Sequence, residues 1–231
     1  ECCLLANRII TSIQLAGILA LDQSIATTFL DILAQFSCTL LDVKFDNAVL
    51  TWSNEAYEAL LAIWVLLIEP VDLHHELSSQ QMIQSKDNLL SKYSYAIFAH
   101  YFTSHLRLGA QEVLSTDELY DQYDDKAYLD DQLQSIALIG RLDCKQSLTL
   151  LIDNNQKYLT LLQQYSIDEN KKNLPYHSIE VVLESLYWIV QLLGNILADP
   201  YEGLSPVIPK NLLINDTNIT IQASENLIQL C

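Results

Sequence analysis

The stretch EVVLESLYWIVQLLGNILAD, Glu180 to Asp199, decides the fold class. Val182, Leu186, Ile189, Leu193 and Ile196 step by four and three, while Glu180, Glu184, Gln191 and Asn195 fall on the other side. Such spacing is a helical stripe and not the alternation of a strand, so the stretch reads as one long amphipathic helix. Pro200 ends it, because proline cannot continue the helix and biases Asp199 away from helical backbone.

Upstream, Leu148, Ile152, Asn155, Leu159 and Leu162 repeat the pattern, and Asp143 with Gln146 offers a capping-box start. Leu133, Ile136, Ala137 and Gly140 mark a shorter helix before it, and so short a connection predicts an antiparallel neighbour pair. The remaining helices are expected at about Cys3 to Ala20, Ser24 to Thr39, Trp52 to Ile68, His75 to Gln84, Asp87 to Leu108 and Thr220 to Leu230. Only five glycines and five prolines punctuate the chain.

The fold class is therefore all-α, and helix pairs at intervals of about 40 residues predict an α-solenoid of HEAT-type antiparallel pairs in a right-handed superhelical stack. Periodicity alone leaves a closed helical bundle open as the alternative. Residues 1–231 read as one continuous solenoid segment, interrupted by an acidic insert loop at 109–130 and a polar linker loop at 167–176. In solenoids such inserts project from one face, often the binding face.

Of the 231 residues, 50% are hydrophobic and 18% charged, enough to bury a sizeable core. Twelve basic residues face 29 acidic ones, a net charge of −17. An acidic surface repels polyanions, which argues against nucleic acid as a partner, and it attracts basic ones. The apolar run Ala59 to Ile68 is closed by Glu69 and Pro70 at half the length of a membrane span, so no membrane insertion is expected. Cys2, Cys3, Cys38, Cys144 and Cys231 are odd in number, without paired spacing, and read as reduced thiols of an intracellular protein. The triplets beginning at Asn215 and Asn218 read as chance matches to a glycosylation signal. No signal peptide is visible, and both ends read as cut from something longer.

A search for chemistry finds little. His74, His75 and Glu76 are adjacent, and neighbouring residues on a helix point about 100° apart, so they cannot close on one ion. His100 and His105 are five apart and are expected to pack. Tyr93, Tyr95, Phe98, Tyr101 and Phe102 form an aromatic stripe expected in the core. Phosphate-binding glycine motifs and the hydrolase elbow are absent from the sequence, and no cofactor, metal or catalytic residue is expected. An enzyme would need a convergent polar pocket that the sequence does not display.

One constellation carries a physical message. Asp117, Glu118, Asp121, Asp124, Asp125, Asp130 and Asp131 are opposed only by Lys126. Their mutual repulsion keeps the segment extended and solvated unless a cation or basic partner neutralises it. The alternatives are a soluble loop with Asp131 near a helix N-terminus, or a contact for a basic partner; a calcium loop lacks its glycine.

Two stretches resemble a known family. Asp131-Gln132-Leu133-Gln134-Ser135-Ile136-Ala137-Leu138-Ile139-Gly140-Arg141 is similar to a D-Q-L-x-S-(I/V)-x-(M/L)-(L/I)-G-R stretch of the exportin-4 family, nuclear transport receptors of the importin-β superfamily. Tyr187-Trp188-Ile189-Val190, Gly194, Leu197-Ala198-Asp199, Gly203 and Pro206-Val207-Ile208-Pro209 resemble its W-(L/I)-(I/V)…G…L-A-D…G…P-(L/V)-I-P stretch, in the same order. After Arg141, Leu142-Asp143-Cys144-Lys145 replaces a more alanine-rich turn, and the first 110 residues match only in helical character, as in a divergent homologue.

The resemblance implies a HEAT solenoid that binds Ran in its GTP form together with protein cargo and shuttles between nucleus and cytoplasm through nuclear pore proteins. Family cargoes include the hypusine-bearing translation initiation factor and a Smad protein. The former presents a cationic modified lysine, which desolvated carboxylates would pair with. The seven acidic residues are expected to contribute to that partner surface. A HEAT-type scaffold or adaptor unrelated to transport is the alternative.

Overall fold

The computed structural model describes residues 8, 23–46, 51–68, 80–114, 126–167, 176–198, 208–209, 212 and 217–230. Seven helices run through them: α1 (Gln23–Asp46), α2 (Thr51–Ile68), α3 (Gln80–Leu114), α4 (Lys126–Leu142), α5 (Cys144–Ile167), α6 (Tyr176–Leu197) and α7 (Thr217–Leu230). The described residues contain no strand. The chain divides into two compact units, one of Glu1–Tyr101 with Leu138–Asp143, the other of Phe102–Ala137 with Cys144–Cys231. Each is all-α and packs helices against sequence neighbours, the local construction of an α-solenoid.

In the first unit α1 packs on α2. Leu30, Leu33, Leu40 and Leu41 bury one face of α1, and Leu60, Ile63, Trp64 and Leu67 do so on α2. Each fully buried apolar side chain is worth about 1.5–3 kcal/mol, so these stripes dominate the unit's stability. Polar atoms caught in the seam are satisfied: Trp64 Nε1 donates to Ser37 Oγ at 3.0 Å, and Ser37 donates to Leu33 O at 2.8 Å. At the rim, Lys92 reaches Asp31 at 3.8 Å and His100 Nε2 lies 3.2 Å from Asp42. Pairs this exposed contribute about 0–1 kcal/mol. Tyr93, Phe98 and Tyr101 are buried, as the aromatic stripe predicts, while Tyr95 is half-buried; Phe102, the first residue of the second unit, is buried as well. The Phe98 ring requires Gly140, where a Cβ would stand 2.8 Å from Phe98 Cδ2.

In the second unit α5, α6 and α7 all touch one another. Leu148, Leu151 and Ile152 of α5 and Ile189, Leu192, Leu193 and Ile196 of α6 form its core, which Ala223 of α7 joins. Asn155, polar inside an apolar stripe, is fully buried, and its Nδ2 donates to Asn226 Oδ1 at 2.8 Å. Asn226 Nδ2 donates onward to Gln222 O. Before α7, the Leu212 amide donates to Pro209 O, and the buried Leu212 carbonyl accepts from Thr220 Oγ1 at 3.2 Å.

Three boundaries differ from the sequence reading. The pair expected at His75–Gln84 and Asp87–Leu108 is one helix from Gln80, because Ser85-Lys86 holds neither glycine nor proline to break it; residues 75–79 lie outside the described ones. The loop expected at 109–130 is entered by helix from both sides. Gly109–Leu114 continue α3, and α4 begins at Lys126, because Leu129 extends the stripe of Leu133 and Ile136 backwards by one turn. Residues 115–125, like 168–175 of the expected linker, lie outside the described ones, as does the expected helix at Cys3–Ala20 apart from Arg8. Asp143 alone separates α4 from α5, at the position read as the cap.

Within Ser24–Asp42 and Ile179–Leu197 are two helices long and apolar enough to cross a membrane by length and composition. The first buries Leu30, Leu33, Leu40 and Leu41 and the second Leu186, Ile189, Leu192, Leu193 and Ile196 against protein neighbours, as core helices do.

Candidate functional site

Of the seven acidic residues singled out in the sequence, Asp117, Glu118, Asp121, Asp124 and Asp125 lie outside the described residues. Asp130 and Asp131 are described and exposed, and they stand on the second turn of α4, not in a loop. Asp130 has a definite neighbourhood, which α6 builds in the same unit.

α6, like α1 with Ile25, Ile32 and Phe36, shows apolar side chains to solvent. Glu180, Glu184, Gln191 and Asn195, the expected polar face, are only half-buried. The exposed positions, among those whose burial is described, are Leu183 at 50% and Tyr187 at 45%. An apolar pair at the most exposed positions of a core helix is not what burial of its stripe requires.

The side chains around the pair are held from beneath. Trp188 is buried and stacks on buried His105 of α3, with ring centroids 3.9 Å apart. Its Nε1 donates to Glu184 Oε1 at 3.0 Å, one helical turn back. Glu184 lies across Gly109 of α3, where a Cβ would be 2.6 Å from Glu184 Cγ. Glycine at 109 therefore makes room for the glutamate chain, and does not stop the helix as its place at the edge of the insert predicts. Tyr187 meets the Trp188 ring edge-on at 5.7 Å. Burial first, then the negative charges of Glu184 and Asp130, push the Tyr187 phenol up from its ordinary value.

The result is an exposed apolar and aromatic pair on α6, with Glu184 fixed on one side and Asp130 of α4 near enough to act on the phenol. Neither carboxylate has a cationic partner among the described residues. Sequence reasoning reached Asp130 through charge density but missed Leu183, Glu184 and Tyr187. The signal was present only as Glu184 and Trp188 four apart, and it acquires meaning once α3 supplies His105 and Gly109.

No group of three His, Cys, Asp or Glu residues able to hold a metal occurs among the described residues. The Cys38 thiol is pushed up by burial and by the Asp42 charge, which keeps it protonated, and Cys144 is buried. His100, expected to pack, is half-buried and faces Asp42; His105 packs as expected.

Comparison with known proteins agrees with the two motif stretches. A family model described as exportin-4 matches residues 2–231. A curated relative named exportin-4, from Dictyostelium discoideum, is 25% identical over 224 residues, covering 85% of this chain and 18% of the relative. The chain thus spans less than a fifth of the length of the relative it matches. With the family model covering the sequence from Cys2 to its last residue, the chain belongs to the exportin-4 family.

Proposed function

We propose that this chain is a segment of a nuclear export receptor that binds Ran in its GTP form together with protein cargo. The family match over residues 2–231 carries the reading, and the net charge of −17 supports a basic cargo. The hypusine-bearing initiation factor fits best, because its modified lysine is a long cation that fixed carboxylates accept; a Smad protein is a second cargo of the family. The receptor shuttles between nucleus and cytoplasm through contacts with nuclear pore proteins. Residues 1–231 act as one stretch of its solenoid, and Asp117, Glu118, Asp121, Asp124, Asp125, Asp130 and Asp131 contribute to the partner surface.

The mechanism is linkage and not catalysis. Ran and cargo each bind better when the other is present, typically by 1–3 kcal/mol of coupling, and hydrolysis of GTP on Ran releases both. The protein needs no active site of its own for this, only contacts that differ between the loaded and unloaded states.

A pull-down from nuclear extract with the full-length protein, with and without Ran locked in its GTP form, tests the proposal. Capture of the initiation factor only with that Ran is the expected result. Equal capture in both arms assigns the chain to a HEAT-type scaffold instead.

A further inference from the structure

We infer that the Leu183–Tyr187 face of α6 is a docking site for a protein segment that carries both an apolar side chain and a lysine or arginine. The inference deepens the proposed function and rests on it for the natural partner being a protein.

Three observations converge on this face. Leu183 and Tyr187 are half-exposed on a helix whose other described side chains are buried or half-buried. Leaving that apolar area in water forfeits burial that a partner recovers. Glu184 is not a loose surface acid, because Trp188 Nε1 holds its Oε1 at 3.0 Å and Gly109 leaves the close space its chain occupies. A carboxylate already fixed loses little side-chain entropy on pairing with a cation. Asp130 adds a second negative charge from α4, and no described cation is paired with either acid.

Charge complementarity selects the occupant. A lysine or arginine chain laid over Tyr187 places its methylenes on the ring and its cationic head between Glu184 and Asp130, while a neighbouring apolar residue covers Leu183. A purely apolar occupant, such as another helix of the same protein or a second copy, would leave both carboxylates facing a dry contact, at a cost in desolvation.

The test uses the full-length protein and two fluorescein-labelled peptides of equal length read by anisotropy at physiological salt. One repeats lysine and leucine, and the other replaces every lysine with glutamate. The lysine–leucine peptide is expected to bind wild-type protein and to lose about tenfold or more in affinity with Tyr187→Ala, and likewise with Asp130→Lys. Glu55→Lys, on an exposed acid of α2, controls for net charge and is expected to leave binding within about twofold. An equal loss with Glu55→Lys, equal binding of the glutamate peptide, or no binding to wild-type protein overturns the inference. Asp130 is exposed, so Asp130→Lys keeps the test valid where Tyr187→Ala disturbs packing. If Ran in its GTP form proves without effect on cargo while these variants still separate, the docking site stands and the transport reading falls.

Discussion

The two units treat their charges differently. In the first, Lys92 reaches Asp31 and His100 Nε2 faces Asp42 at the rim, the buried Trp64 indole is satisfied by Ser37, and Glu55 stays an exposed acid. The second joins α5 to α7 with a neutral pair, Asn155 and Asn226, and leaves Asp130 and Glu184 beside exposed Leu183 and Tyr187. Both units show acids near exposed apolar side chains, Glu55 near Trp52 in the first; what sets the second apart is that Trp188 holds Glu184 in place beside Leu183 and Tyr187.

The two buried tryptophans offer the largest test of that contrast. Trp64→Ala and Trp188→Ala each remove a fully enclosed indole, and both are expected to cost about 3–5 kcal/mol, read as faster hydrogen exchange in their own unit of the full-length protein. Only Trp188→Ala also frees Glu184, so only it is expected to weaken the lysine–leucine peptide. Equal loss of peptide binding in both variants breaks the comparison.

Next in size are two glycines in tight contacts. Gly140→Ala drives a methyl into the buried Phe98 ring, and overpacking outweighs the helix-propensity gain for a net loss of about 1–2 kcal/mol. Gly109→Ala displaces the half-buried Glu184 chain, which can swing outward. Stability is expected to stay within about 1 kcal/mol while peptide affinity falls. Gly194 meets nothing within 4 Å, so Gly194→Ala is expected to stabilise α6 by about 0.5–1 kcal/mol in the same exchange measurement.

The smallest effect at neutral pH belongs to Tyr93 in the first unit. Burial first, then the Asp31 carboxylate nearby, push the phenol up to about 12. Above the ordinary tyrosine value near 10, the folded state then holds a proton that the unfolded state has lost, so stability falls as pH rises from about 10 to about 12. Tyr93→Phe is expected to change little at pH 7 and to flatten that alkaline slope, measured by denaturant unfolding at pH 8 and pH 11. An unchanged slope removes Tyr93 from the account.

The helical class was legible because the four-and-three spacing in α6 and α5 sits directly in the sequence, and the capping position at Asp143 was legible for the same reason. Boundaries were harder: Ser85-Lys86 and Gly109 look like breaks along the chain, yet α3 runs through both because its backbone bonds need no particular side chain there. At the candidate site, charge density pointed to Asp130. Tyr187 and Leu183 lie off the Val182–Ile196 stripe, at the edge of the polar face, and a one-dimensional pattern does not say what an apolar residue there is for. The roles of Gly109 and His105 arise from contacts between α3 and α6, which lie far apart in sequence.

The most direct measurement is the affinity of full-length protein for the hypusine-bearing initiation factor, titrated with and without Ran in its GTP form, for wild type and Asp130→Lys. Tighter binding by about five- to 150-fold with Ran, and a weakened complex for Asp130→Lys in both series, is the predicted result. An affinity indifferent both to Ran and to the charge at position 130 would contradict the account.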